Sequence, residues 1–167
     1  TESRRENGFF PNFSIAQNMA VSQSLKRGGY KGAMGLFREG DERRTAEEQR
    51  KLLALKCHSV DQNITELSGG NQQKVLISKW LCCNPEVIIF DEPTRGIDVG
   101  AKAEIYKVMR QLADDGKVIL MVSSELPEII AVCDRIAVFC EGRLTQILTN
   151  RDDMSEEEIM AWALPQE

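Results

Sequence analysis

The sequence predicts an α/β fold: a parallel sheet of alternating strands and helices in its later part, preceded by a helical lobe. Three observations carry this. Val87-Ile88-Ile89-Phe90 and Val118-Ile119-Leu120-Met121-Val122 are continuous apolar runs of strand length, the pattern of strands covered on both faces. Between them Ile105, Val108, Met109 and Leu112 recur at helical spacing and form an apolar stripe. Residues 13–84 are mostly helical in pattern, so the strand–helix alternation starts only after residue 86.

Taken in order, residues 1–12 read as the end of a core strand and the loop leading to Pro11-Asn12. Ser14 is placed to cap a short helix holding Ile15, Met19 and Ala20. Leu25 to Gly40 contains glycines 28, 29, 32, 35 and 40 and reads as an exposed, flexible connection. A charged helix over roughly 42–57 puts Ala46, Leu53 and Cys57 on one face. A helix from Gly70 to about Cys83 carries the pairs Leu76–Trp80 and Ile77–Leu81, and Asn84-Pro85 ends it. Ala101 to Ala113 is helical, with Gly116 placed to stop it. A helix near 127–132 and a strand over 136–139 follow, and Glu141-Gly142 forms a hairpin turn into the strand 144–148. Ser155 caps a last helix to about Ala163, whose first turn holds Glu156, Glu157 and Glu158 at the positive helix end. The organisation expected is 1–12, 13–84 as the helical subdomain, 85–150 as the α/β core, and 151–167 as the C-terminal helix.

Two stretches carry the chemistry. Leu67-Ser68-Gly69-Gly70-Asn71-Gln72-Gln73-Lys74 opens a helix, where unpaired N–H groups and the positive dipole end favour phosphate. Glycines there let the backbone approach without a Cβ in the way. Val87 to Glu92 ends a buried strand on two carboxylates, Asp91 and Glu92, suited to holding Mg²⁺ and polarising a water. Alone, Ser-Gly-Gly favours a serine cap with turn glycines, and Asp-Glu alone reads as a strand ending in solvated acids, which is common. Their succession points to a nucleoside triphosphate.

With Pro93-Thr94-Arg95-Gly96-Ile97-Asp98 following, these motifs resemble the signature motif, Walker B strand and D-loop of ATP-binding cassette (ABC) ATPases. The wording GNQQK, PTRGIDVGAK and SSELPE resembles the second nucleotide-binding half of the fused ATPases of bacterial sugar importers of the ribose, galactose, xylose and arabinose type. The resemblance runs through nearly the whole chain. It implies a P-loop NTPase core of ABC type, incomplete at its N-terminus, with a helical subdomain that bears the signature motif. It also implies ATP and Mg²⁺: Asp91 for the metal, Glu92 to orient or activate the attacking water. Ser68, Gly69, Gly70 and Asn71 would bind, across an interface, the γ-phosphate held by the opposing half. Asp98 is expected at that interface, although a plain N-cap role for the helix near Ala101 serves it equally well.

Three departures qualify the resemblance. No G-x-x-x-x-G-K-[ST] occurs, so the phosphate loop is expected upstream of Thr1 and the chain reads as the C-terminal part of a longer polypeptide. Its opening without methionine agrees with a fragment or a processed product. Where the family usually has Ser-His-Asp, this chain has Ser123-Ser124-Glu125. Ser124 is shorter than a histidine and carries no positive charge. Glu2 matches the position of the Q-loop glutamine. The isolated chain is therefore expected to be inactive, and this half's own site weak or non-hydrolytic while its signature motif completes the partner half's site.

The remaining composition excludes more than it adds. A net charge of −5 argues against a partner dominated by nucleic-acid phosphate, and neither heptads nor a basic surface supports a DNA-handling ABC ATPase. No apolar run approaches bilayer-spanning length, and the opening Thr1-Glu2-Ser3-Arg4-Arg5 carries no apolar h-region. Five cysteines without a C-x-x-C pair fit reduced thiols and small apolar filler, and His58 has no ligand partners in its pattern. The expected partners are the first nucleotide-binding half or a second copy, membrane-spanning permease subunits and, indirectly, a periplasmic sugar-binding protein. The expected place is the cytoplasmic face of the inner membrane.

Overall fold

The computed structural model describes residues 8–26 and 39–165. The described residues fall into two compact units, the first within Thr1–Ile88 and Pro93–Ile119, the second within Ile89–Glu92 and Leu120–Glu167. No helix among them is long and apolar enough to cross a membrane.

In the first unit, α1 (Ile15–Lys26) packs on α2 (Glu39–Leu52) and α3 (Gly69–Leu81), and α3 packs on α4 (Val99–Asp114). The core beneath α1 is built by Ile15, Met19, Ala46, Ile64, Leu67 and Val75, all buried. Ser14 and Gln17 form a reciprocal capping box at the start of α1: Gln17 N donates to Ser14 Oγ (3.1 Å) and Ser14 N to Gln17 Oε1 (2.9 Å). Asn18, 1% exposed, ties the preceding turn to α1. Its Nδ2 donates to the carbonyls of Phe10 (3.1 Å), Phe13 (3.3 Å) and Ser14 (3.0 Å), and its Oδ1 accepts from Phe10 N (2.8 Å).

Two boundaries differ from expectation, and α3 shows which of its pairs faces the core. Helix α2 ends at Leu52 rather than near Cys57 because Ala54 turns to φ +45°; Ala46 and Leu53 still face the core. The glycine-rich connection lies almost wholly outside the described residues, and Gly40 falls in the first turn of α2. On α3, Ile77 and Leu81 are buried but Trp80 is 60% exposed. The Lys79 ammonium sits 5.4 Å from the Trp80 ring centroid and 5.7 Å from that of Phe10. Partial burial holds the Lys79 ammonium below its ordinary range.

Strands β1 (Val87–Asp91) and β2 (Val118–Val122) lie side by side. Val118 N donates to Glu86 O and Glu92 N to Val122 O, both at 2.9 Å, so the two strands run parallel. Their apolar runs are not covered on both faces among the described residues. Ile88 and Phe90 are buried, whereas Val87, Ile89, Val118, Leu120 and Val122 are more than half exposed. A run without alternation states only that either face tolerates an apolar residue.

Of the expected stripe on helix α4, Ile105, Met109 and Leu112 are buried and Val108 is half-buried, and the helix ends before Gly116 at φ +85°. In the second unit, α5 (Leu126–Val132) precedes a hairpin of β3 (Arg135–Cys140) and β4 (Arg143–Thr149). The hairpin turn puts Glu141 at φ +49° and Gly142 at φ +77°, the double left-handed geometry that suits the twist of a two-residue connection. Helix α6 (Glu156–Ala163) packs on both strands, with Ser155 Oγ accepting from Glu158 N at 3.2 Å. Ile136, Val138, Met154 and Ile159 form its core.

Candidate functional site

The turn into α3 is assembled around Ser68. Its backbone is extended (φ −61°, ψ 157°), and its hydroxyl makes no cap bond to the helix backbone. Ser68 Oγ instead accepts from Asn71 Nδ2 at 2.9 Å, and Asn71 Oδ1 accepts from Lys56 N at 3.0 Å. A plain serine cap would spend the hydroxyl on an N–H of the first helical turn; this one is exposed and held by a side chain. Gln72 Nε2 secures the turn from below, donating to Leu67 O (3.0 Å) and Ile64 O (3.3 Å).

Gly69 is exposed and Gly70 buried. A Cβ built on Gly70 would lie 2.5 Å from Ala101 Cβ, far inside contact distance. Close approach of α3 to α4 is therefore a structural reason for this glycine, beside the phosphate role that the sequence suggests. The α4 residue it meets lies in that helix's first turn, which Asp98 caps: Asp98 Oδ1 accepts from Ala101 N at 2.9 Å. Asp98 is thus an N-cap, as its position allowed, and it is exposed as well.

Two residues that the sequence does not single out, Lys56 and Glu104, complete this side together with Lys74, the last residue of the motif. Lys74, 2% exposed, donates to Ala54 O (3.0 Å) and pairs with Glu104 Oε2 (2.9 Å). Lys56 pairs with Glu104 Oε1 at 3.2 Å. Hydrogen bonds from Lys74 and then Lys56 hold the Glu104 carboxyl below its ordinary range. The i,i+30 separation of Lys74 and Glu104 leaves no local pattern from which to predict the pair.

In the second unit, β1 ends on exposed Asp91, and the next residue, half-buried Glu92, stands at φ +47°. Left-handed backbone at a residue with a Cβ costs roughly 1–2 kcal/mol and clusters at functional positions. Its N–H is nevertheless kept in the ladder by Val122 O. After β2 the chain turns through Ser123, whose hydroxyl donates to buried Glu128 (3.0 Å) and accepts from Glu125 N (3.0 Å). Ser124 is exposed. Glu2 lies outside the described residues.

The structure thus joins Ser68 to Asn71, and Gly70 to the helix that Asp98 starts. Glu92 shares a backbone bond with the strand end two residues before Ser124. No group of three or more His, Cys, Asp or Glu among the described residues is able to hold a metal ion by itself. Two adjacent carboxylates at a strand's C-terminal end instead match Mg²⁺ bound jointly with a nucleotide's phosphates, since that ion takes one or two carboxylates and keeps its other positions for phosphate and water.

The D-allose import ATP-binding protein AlsA of Escherichia coli is 93% identical over all of this chain, which covers 33% of that protein. The ribose import ATP-binding proteins RbsA of Bacillus cereus and RbsA 2 of Agrobacterium fabrum are 46% and 47% identical, each over 98% of the chain and 32% and 31% of their own lengths. The chain therefore spans about a third of the length of these relatives. Among solved structures, the ATP-binding cassette MJ0796, in a dimeric post-hydrolysis state bound to ADP and Pi, superposes with a TM-score of 0.68 at 26% identity, covering 86% of this chain and 59% of that one. The cassette MJ1267 shares the fold, with a TM-score of 0.73 at 21% identity over 94% of this chain and 67% of that one. The family described as ABC transporter matches residues 3–95, more than half of the sequence, and the chain belongs to that family.

Proposed function

We propose that this chain is part of the ATP-hydrolysing subunit that energises a bacterial ABC importer of a carbohydrate. The observation that carries the reading is Glu92, a residue with a side chain held left-handed at φ +47° directly after Asp91 at the C-terminal end of a parallel strand, where α/β sheets bind their ligands. Glu92 is the general base that orients and activates the attacking water. Asp91 holds the Mg²⁺ that accompanies ATP, directly or through water, and bound Mg²⁺ offsets charge on the phosphates. Ser68, Gly69, Gly70 and Asn71 bind the γ-phosphate of the opposing half's nucleotide, and Asp98 couples the two sites. The cassette solved as a dimer with ADP and Pi supports an arrangement in which two halves close on nucleotide and reopen after hydrolysis.

The partners in this reading are the other nucleotide-binding half, permease subunits and a periplasmic sugar-binding protein, with the subunit peripheral to the cytoplasmic face of the inner membrane. D-Allose, the sugar in the name of the 93% identical relative, is the first substrate to test. Without a phosphate loop the isolated chain is expected not to turn over ATP.

A second reading makes this half a nucleotide-binding regulator that completes its partner's site and hydrolyses little itself. Ser124, standing where the resemblance places a histidine, favours it. Steady-state turnover of the full-length subunit carrying Glu92→Gln, set against the matching change in the other half, separates the two. A fall of about 100-fold or more with Glu92→Gln supports hydrolysis here. Loss only with the other change assigns this half the regulatory role.

A further inference from the structure

We infer that Glu104 is the positioning residue for Ser68, clamping the phosphate-binding turn of α3 to the helix that Asp98 caps; this rests on the reading of Ser68 given above. Glu104 stands on α4 and accepts from two ammonium groups at once, Lys74 (2.9 Å) and Lys56 (3.2 Å). Each lysine leads toward Ser68 by a separate route. Lys74 is on α3 itself, so its bond to Glu104 fixes the helix whose first residues are Gly69 and Gly70. Lys56 presents its backbone N–H to Asn71 Oδ1, and Asn71 Nδ2 holds Ser68 Oγ. This is the weaker of the two routes, since a flexible four-carbon stem separates the exposed Lys56 ammonium from the N–H that holds Asn71.

The clamp is stiff for two physical reasons. The Lys74 side chain is 2% exposed while Glu104 is 40% exposed, and the buried ammonium loses more by leaving its partner than a lysine on the surface would. Gly70 also abuts Ala101 with no room for a methyl group between them, so α3 and α4 have one close-packed arrangement rather than a range. Asp98 and Glu104 are on one helix, six residues apart in sequence. A displacement felt at Asp98 is consequently transmitted to Ser68 through Glu104, and the reverse. Two residues expected at the interface between halves thereby respond as a unit.

The test uses the full-length subunit with two readouts. The first is a double-mutant cycle on kcat/KM for ATP with Glu104→Gln, Ser68→Ala and both. Glu104→Gln is expected to lower kcat/KM by roughly three- to tenfold and to add almost nothing on the Ser68→Ala background; multiplying effects would overturn the proposal. The second is amide hydrogen exchange over residues 68–73, expected to rise in Glu104→Gln and in Lys56→Met while residues 136–148 are unchanged. Lys56 is 75% exposed, so its substitution leaves folding intact. Unchanged exchange over 68–73 in both variants overturns the clamp whatever the kinetics show. Turnover unaffected by Ser68→Arg, by contrast, sinks the phosphate role of Ser68 and leaves the exchange result standing.

Discussion

Gly70→Ala probes the closest helix–helix contact in the first unit. The added methyl would sit 2.5 Å from Ala101 Cβ and 3.8 Å from Ile97 Cγ2. Two carbon atoms rest at about 3.5–4.0 Å, so the overlap with Ala101 is about 1 Å or more. Neither atom is at the end of a flexible side chain, and the strain falls on the separation of α3 and α4. Overpacking of this kind costs about 1–3 kcal/mol, while replacing a helical glycine by alanine returns about 1 kcal/mol. The net expectation is a loss of about 0–2 kcal/mol. Separation by about 1 Å also lengthens the Lys74–Glu104 bond, so ATP turnover should fall further than the loss of stability explains. Gly40→Ala is the internal control: nothing lies within 4 Å of its Cβ position, and alanine there should stabilise α2 slightly. Thermal melts and steady-state ATPase of the full-length subunit read both variants. A Gly70→Ala protein that melts at or above the wild type with full turnover would refute the packing argument.

Other expectations follow from the same geometry. Glu104 has its carboxyl pKa lowered by Lys74 and Lys56, so the pair stabilises the fold fully above the unfolded pKa of about 4.3 and fades as pH falls through the lower folded value. Protection factors of the α3 amides, taken relative to the intrinsic exchange rate at each pH, should fall in acid in the wild type, and Glu104→Gln should flatten that dependence; parallel pH profiles would contradict it. Glu92→Gly relieves a left-handed residue and is expected to raise stability by about 1 kcal/mol while abolishing this site's turnover, as denaturant midpoints and ATPase assays would report. Asn150 Nδ2 donates to Ile130 O (2.6 Å) and Cys133 O (2.7 Å) at the end of α5. Asn150→Ala should therefore cost about 1–3 kcal/mol, measured by urea unfolding, with no change in nucleotide affinity.

Features governed by local chemistry were legible in the sequence. The Ile105–Met109–Leu112 stripe, the Glu141-Gly142 turn and the Ser155 cap each rest on residues within one or two turns of one another. So did the order of Ser68-Gly69-Gly70 and Asp91-Glu92, which carried the family resemblance. What tertiary contact decides was not legible. Lys74 sits in a polar stretch that gives no sign of burial, and its partner is thirty residues away. Gly70 reads as a phosphate-binding glycine until Ala101 is seen against it. The left-handed turn at Ala54 that shortens α2 has neither glycine nor proline to mark it. Exposure of one face of β1 is invisible in a run where every residue is apolar.

The central claim, that the turn at Ser68 serves a nucleotide bound by the opposing half, is tested most directly by ATP turnover of the full-length subunit carrying Ser68→Arg. A guanidinium replaces a hydroxyl that Asn71 holds at 2.9 Å, filling the space that the proposal assigns to phosphate while leaving the buried Leu67 and Gly70 untouched. The account predicts turnover reduced by about two orders of magnitude or more with ATP still bound at the unaltered phosphate loops. Wild-type turnover in this variant would contradict it.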